Sequence, residues 1–263
     1  AALVGHILDR YHGRLREELP ILVAMAAKVE MRHADKTTVP QGLADHLAPR
    51  VGDSTVVLPL LNGADIRERL RERIAGGIVP PACIYVSARR REPGIVEHVG
   101  GPGLIHLGPD PVRPEWRGLE LQELFQQAEV PFQWHEQPTI AVWTKYLFIA
   151  SFALVTAAHR ADFGRVLTDP ALSTQARQVM EEICAVARAR GIDLPADAIP
   201  KTFAAAASFP PQTRTSYQRD IEGRSPADEG DLYAGTILPL GRACGVPTPV
   251  SAELAAAIER LKG

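Results

Sequence analysis

The sequence predicts an α/β unit built around a parallel sheet, followed by an all-helical unit. Three observations carry this reading. Short apolar, partly β-branched runs bounded by polar or Gly/Pro segments fill the first half, as buried strands do. A strand, helix, strand order lies between residues 54 and 88. After Pro138 long helical patterns replace the strands, so the expected division is a domain of residues 1–137 and a second of residues 138–263.

Taken in order, the expected strands are 21–27 (ILVAMAA), 54–61 (STVVLPLL) and 82–88 (ACIYVSA). Between the last two, residues 64–74 (ADIRERLRERI) place Ile66, Leu70 and Ile74 at intervals of four on one helical face, and Gly76-Gly77 closes the helix. Residues 94–108 (GIVEHVGGPGLIHLG) read as a hairpin of two alternating runs around a Gly-rich turn. The second half offers helices at 139–159, 173–190 and 228–244, with Gly191 and Gly245 as stop signals and prolines in the connections.

Charge and composition narrow the partners. The 29 basic and 31 acidic residues nearly cancel, which leaves no electrostatic footprint for nucleic acid or an anionic membrane. A small neutral or acidic metabolite is the expected partner. Cys83, Cys184 and Cys244 lie far apart without CxxC spacing, so neither a disulfide framework nor a thiolate metal site is expected, and a reducing cytoplasm fits. The apolar stretch 139–158 is long enough to span a bilayer, yet Lys145 lies inside it. A cation is costly in hydrocarbon, so a buried helix of a soluble protein is the expectation. The start AALVGHILDRYHG has no basic leader followed by an apolar region and a small-residue cleavage site, so no signal peptide is expected.

Two residues suggest chemistry by their setting. A lone lysine in an apolar helix, Lys145, can donate a hydrogen bond or proton to a carbonyl oxygen; it also reads as a lysine snorkelling from a helix edge. Asn62 follows an expected parallel strand, where open α/β sheets bind ligands, although Asn-Gly is also an ordinary turn.

Four strings together resemble the ketopantoate reductase (2-dehydropantoate 2-reductase) family. They are LPLLNG at 58–63; Ala88-Arg89 followed by PGIVEHVGGPG; Trp143-Thr144-Lys145 with Thr156-Ala157 eleven residues beyond the lysine; and residues 216–249, with an S-x-x-x-D start, an acidic loop and a G-x-P-x-P end. The likeness runs from about Val51 to the C-terminus. It implies a Rossmann-like N-terminal domain, incomplete here, followed by a helical substrate and dimerisation domain. It also implies an NADP-dependent oxidoreductase of pantothenate biosynthesis type, acting on a 2-oxo acid, with a homodimer as an allowed assembly. On this resemblance Lys145 is catalytic, Asn62, Ala88 and Glu229 meet the cofactor, and Asn62 and Ser216 meet the substrate. No metal is implied. By chemistry alone, Ser216 reads as a helix-starting hydroxyl and Glu229 as one solvated carboxylate among several in DEGD.

Two departures stand against the family pattern. A dinucleotide site needs G-x-G-x-x-G between a strand and a helix, and no such string occurs. Residues 1–12 could be the tail of that turn, with Gly5 its last glycine, or simply a helix start. The chain is thus expected either to have lost its nucleotide cradle or to be an incomplete or stitched version of a longer polypeptide, in which case a strand and glycine turn would lie immediately before Leu3. In addition, Ile149, Ala153 and Phe163 stand where the family has asparagines. A more apolar 2-oxo acid than ketopantoate is therefore expected, or a non-catalytic descendant that binds a ligand or partner.

Overall fold

The computed structural model describes residues 44–45, 47–92, 95–224 and 228–262. The strand expected at 21–27, the helix start at 1–12 and any glycine turn beside Leu3 lie outside the described residues. The chain forms two compact units, one of residues up to Leu61 with Asp65–Val142, the other of Asn62–Ala64 with Trp143 onward.

In the first unit a three-stranded sheet has the order β1-β2-β3, with β1 (Ala82–Glu92) antiparallel to β2 (Ile95–Leu107) and β2 parallel to β3 (Phe132–Trp134). Helix α1 (Ile66–Arg71) precedes the sheet, and α2 (Leu119–Gln127) forms the crossover between β2 and β3. Ile66, Leu70 and Ile74 are all buried, as their spacing requires. Val56, Leu60, Ile84, Ile105, Leu107 and Phe125 belong to the core of this unit.

Two expected elements differ. In place of a hairpin within 94–108, Ile95–Leu107 form the single strand β2, whose register against β1 runs from Ala82↔Leu107 to Glu92↔Ile95. The glycines produce an irregularity in that ladder instead of a turn. Gly101 sits at φ +81, and a Cβ there would come within 3.2 Å of the Tyr85 carbonyl oxygen, beside register shifts at Ser87. Residues 54–61 are largely buried, and among the described residues they make a single parallel bridge, Val56↔Ile78. Pro59 lacks the N–H a longer ladder needs, and the next amide, that of Leu60, turns back to the Leu58 carbonyl at 3.0 Å.

This unit also buries a carboxylate. Asp110 accepts from Arg67 Nη2 at 2.6 Å, Arg71 Nη2 at 2.5 Å, and the backbone N–H groups of Val79 and Val112 at 2.8 and 3.0 Å. Burial pushes its pKa up, but the Arg67 hydrogen bond, the two backbone donors and the Arg71 charge together outweigh burial and hold it below the ordinary value. On the sheet, His106 Nδ1 and His135 Nε2 share a 2.8 Å hydrogen bond with the rings stacked, and burial lowers the His135 pKa.

From Trp143 onward the described residues of the second unit form helices and their connections, with no strand. The unit boundary falls within α3 (Pro138–His159), between Val142 and Trp143. Then follow α4 (Phe163–Thr168), α5 (Pro170–Ala189), α6 (Ala198–Ala207), α7 (Ser216–Glu222), α8 (Gly230–Cys244) and α9 (Pro249–Lys262). Helix α5 begins earlier than its apolar pattern suggests, because the Asp169 carboxylate accepts from the Ala171 N–H at 2.9 Å and Pro170 suits the first turn. Gly191 and Gly245 both adopt left-handed φ just after their helices. The Glu182 carboxylate of α5 caps α9, accepting from the Val250 and Ser251 N–H groups and the Ser251 hydroxyl at 2.7, 3.0 and 2.6 Å.

Helix α3 is apolar on every side because it is the core of this unit. Leu147, Ala150, Leu154 and Val155 are fully buried, and 67% of its most apolar window is covered by protein. Each such Leu or Val contributes about 1.5–3 kcal/mol through burial, which accounts for the membrane-like composition without a membrane.

Candidate functional site

Within the second unit, four side chains singled out in the sequence and one that was not converge on a single network. Lys145, on α3, is 6% exposed. Its Nζ donates to Asn62 Oδ1 at 2.8 Å. The other end of the amide, Nδ2, faces Glu229 Oε1 and the Tyr233 hydroxyl, each at 3.4 Å. Glu229 Oε2 in turn accepts from Ser216 Oγ at 2.5 Å and from the Tyr233 hydroxyl at 3.0 Å. A buried cation and a carboxylate are thus joined through a neutral amide.

Local sequence explains each position. Asn62 follows the Val56 bridge in a bend whose next residue, Gly63, has φ +130, a conformation unsuited to other residues. Ser216 opens α7, which is capped by Thr215: the Thr215 hydroxyl accepts from the Gln218 N–H at 3.2 Å. Thr156, one helix away on α3, shares a 2.8 Å hydrogen bond with the Thr215 hydroxyl and is fully buried. The Thr156-Ala157 pair, part of the family-like string, therefore places the start of α7. Glu229 immediately precedes α8, and the glycine after it leaves room for Tyr217, whose hydroxyl would lie 2.7 Å from a Cβ at Gly230.

Tyr233, absent from the sequence reading, lies one helical turn beyond Glu229 and is 2% exposed. The i,i+4 spacing of a carboxylate and a tyrosine at the start of a helix was the available signal. Tyr233 is held from behind, since the Tyr146 hydroxyl of α3 donates to its backbone carbonyl at 2.7 Å. Ala88 belongs to the other unit, where it lies half-buried on β1 opposite His98. Of the residues standing where amides were expected, Ala153 and Phe163 are in the core and Ile149 packs against it. Phe163 lies 4.8 Å from Phe152 and 5.6 Å from Phe209, ring centre to ring centre.

Chemically, an ammonium group oriented by an amide oxygen and screened from water can donate to a carbonyl oxygen that gains charge. Hydroxyl, amide and carboxylate groups beside it can hold a polar reactant. The set fits the reacting end of a nicotinamide cofactor and its substrate. For the pyrophosphate no residue is assigned, because the sequence holds no G-x-G-x-x-G string. Among the described residues no group of three or more His, Cys, Asp or Glu could hold a metal ion.

An α/β unit joined to a helical unit with this network defines a Rossmann-like, two-unit architecture of the reductase type. Sequence profiles make the assignment specific: "Ketopantoate reductase PanE/ApbA" matches residues 36–111 and "Ketopantoate reductase PanE/ApbA C terminal" matches residues 140–262. The chain belongs to the ketopantoate reductase PanE/ApbA family. It is 27% identical over 219 residues to the oxidoreductase YkpB of Bacillus subtilis, covering 78% of this chain and 68% of that protein. To the 2-dehydropantoate 2-reductase of Mycobacterium tuberculosis it is 28% identical over 201 residues, 76% of this chain but only 64% of the relative's length. Among solved structures, a PanE/ApbA family ketopantoate reductase from Ralstonia eutropha aligns with TM-score 0.75 and 27% identity, over 90% of this chain and 78% of that one. D-mandelate dehydrogenase, solved with NADH and anilino(oxo)acetate, shares the fold at TM-score 0.73 and 16% identity, over 86% of this chain and 74% of that one. Separately, a 47-residue stretch is 55% identical to the iron-sulfur cluster repair protein YtfE of Citrobacter koseri, covering 18% of this chain and 21% of that protein.

Proposed function

We propose that the protein reduces a 2-oxo acid, with Lys145 as the acid, and that the observation carrying this reading is the buried Lys145 Nζ to Asn62 Oδ1 bond with Glu229 beyond it. NADPH, by family resemblance, supplies the hydride when bound. As the carbonyl carbon is reduced, its oxygen gains negative charge and takes a hydrogen bond, then a proton, from Lys145. Asn62 aims the ammonium and, with Ser216, positions the substrate; Glu229 and the backbone at Ala88 serve the cofactor. The burial of Lys145 excludes water from the point of proton transfer and strengthens the electrostatic interaction there. The residues expected to meet the pyrophosphate are unassigned, and no step depends on them.

Substrate preference follows from the apolar residues at positions 149, 153 and 163. Each substrate hydroxyl buried without a partner costs about 1–3 kcal/mol, so a branched or aromatic 2-oxo acid should be preferred to ketopantoate. A reducing, cytoplasmic setting agrees with three free cysteines. A homodimer, the state named for the ketopantoate reductase of Staphylococcus aureus that shares the fold, is proposed as the assembly and can be checked by light scattering.

The test is a fluorescence titration of full-length protein with NADPH, followed by kcat/KM for ketopantoate against branched and aromatic 2-oxo acids. Saturable NADPH binding with turnover of the apolar acids supports the proposal. A clear preference for ketopantoate contradicts the substrate assignment. Absence of both binding and turnover favours the second reading, a non-catalytic family descendant, which the missing glycine string motivates.

A further inference from the structure

We infer that Tyr233 is a positioning residue of this site, acting on Lys145 through the Asn62 amide. The inference rests on the reductase reading for its consequence, but its geometry stands independently. A side-chain amide has two nearly isosteric ends, and turning it over would present Nδ2, a donor, to the Lys145 ammonium. The observed sense is matched at both ends: Oδ1 accepts from Lys145 at 2.8 Å, while Nδ2 faces two acceptors, Glu229 Oε1 and the Tyr233 hydroxyl oxygen.

Tyr233 contributes to this twice. Its oxygen accepts directly from Nδ2, and its proton goes to Glu229 Oε2 at 3.0 Å, so it also fixes the carboxylate that receives the same amide. A phenol can do both at once because it is donor and acceptor. The ring itself is fixed independently of the hydroxyl. It is buried, it packs 5.4 Å from the Tyr217 ring centre, and its backbone carbonyl accepts from Tyr146. Tyr233→Phe therefore removes the hydroxyl while the ring keeps its packing.

Two measurements on the full chain test this. In a 15N spectrum the side-chain amide pair of Asn62 is identified by its loss in Asn62→Ala. Tyr233→Phe should shift or broaden that pair, whereas Tyr146→Phe, which removes the hydroxyl that donates to the Tyr233 backbone carbonyl, should leave it in place. In turnover, Tyr233→Phe should lower kcat roughly fivefold, the scale of one net hydrogen bond, with KM little changed. In an Asn62→Ala background the same substitution should change kcat by less than about twofold, because the route through the amide is already gone. An Asn62 pair unchanged by Tyr233→Phe, or an equal fall in kcat in both backgrounds, would overturn the inference. If wild-type protein reduces no 2-oxo acid, the reductase reading fails, while the amide spectrum still decides the role of Tyr233.

Discussion

Each unit of this protein buries a charged network, and the two are built on opposite principles. In the first unit Asp110 is surrounded by its own compensation, two guanidinium groups and two backbone N–H donors. In the second, the Asn62 amide bonds both Lys145 and Glu229, and Glu229 also accepts from the Ser216 and Tyr233 hydroxyls. Direct pairing neutralises charge and ties α1 to the loop after β2. In the second network a neutral amide oxygen orients the ammonium.

The contrast is sharpest under substitution. Asp110→Ala strands Arg67 and Arg71 and should cost about 3–5 kcal/mol of the first unit's stability, the range for removing one partner of a buried pair. Urea unfolding followed by tryptophan fluorescence checks it, since Trp116 and Trp134 report on this unit. A loss below about 1 kcal/mol would place Asp110 among ordinary surface ion pairs.

A smaller effect is expected where the second unit borrows a structural device to place a functional group. Thr215→Ala removes the α7 cap and the partner of buried Thr156, and should cost about 1–2 kcal/mol, with Thr215→Ser recovering most of it. Thermal unfolding of the three proteins measures this. If Thr215→Ala lowers turnover with no change in melting, the cap acts on Ser216 alone.

The pH dependence of stability gives the mildest test and belongs to the first unit. Burial holds His135 below the ordinary imidazole value of 6.5. On acidification the unfolded chain takes up its proton first, so stability falls as pH drops through 6.5 and levels off below the folded pKa, by at most about 1.4 kcal/mol per pH unit. Asp110 adds a later loss: its folded pKa lies below 3.8, so its contribution is complete above that value and disappears as pH falls through the folded pKa. Urea midpoints between pH 7.5 and 5 should decline in wild type and flatten in His135→Gln.

The parts most legible in the sequence were those governed by periodicity. The buried set Ile66, Leu70 and Ile74, the first two on α1 and the third just beyond it, and the long apolar α3 follow from it, while the left-handed glycines after α5 and α8 follow from their role as helix stops. Lys145 and Asn62 were visible by setting, Ser216 and Glu229 only through the family-like strings. What escaped was decided by tertiary contacts. Gly100-Gly101 reads as a turn, but the pairing of β2 with β1 makes it an irregularity within a strand. Residues 54–61 have strand composition, yet among the described residues Pro59 and a single bridge leave them irregular. Tyr233 has the look of one more core aromatic until the Glu229 and Asn62 atoms beside its hydroxyl are known. The likeness to the family also begins earlier than the quoted strings suggest, since the PanE/ApbA match starts at residue 36 and not near Val51.

Lys145→Ala in the full-length protein decides whether the Lys145 ammonium is the acid of a carbonyl reduction. NADPH oxidation with a branched 2-oxo acid should fall at least about 100-fold in kcat, the scale of losing roughly 3 kcal/mol of transition-state stabilisation. The unfolding midpoint should stay close to wild type. Turnover of the variant at the wild-type rate, with NADPH still bound, would contradict the account.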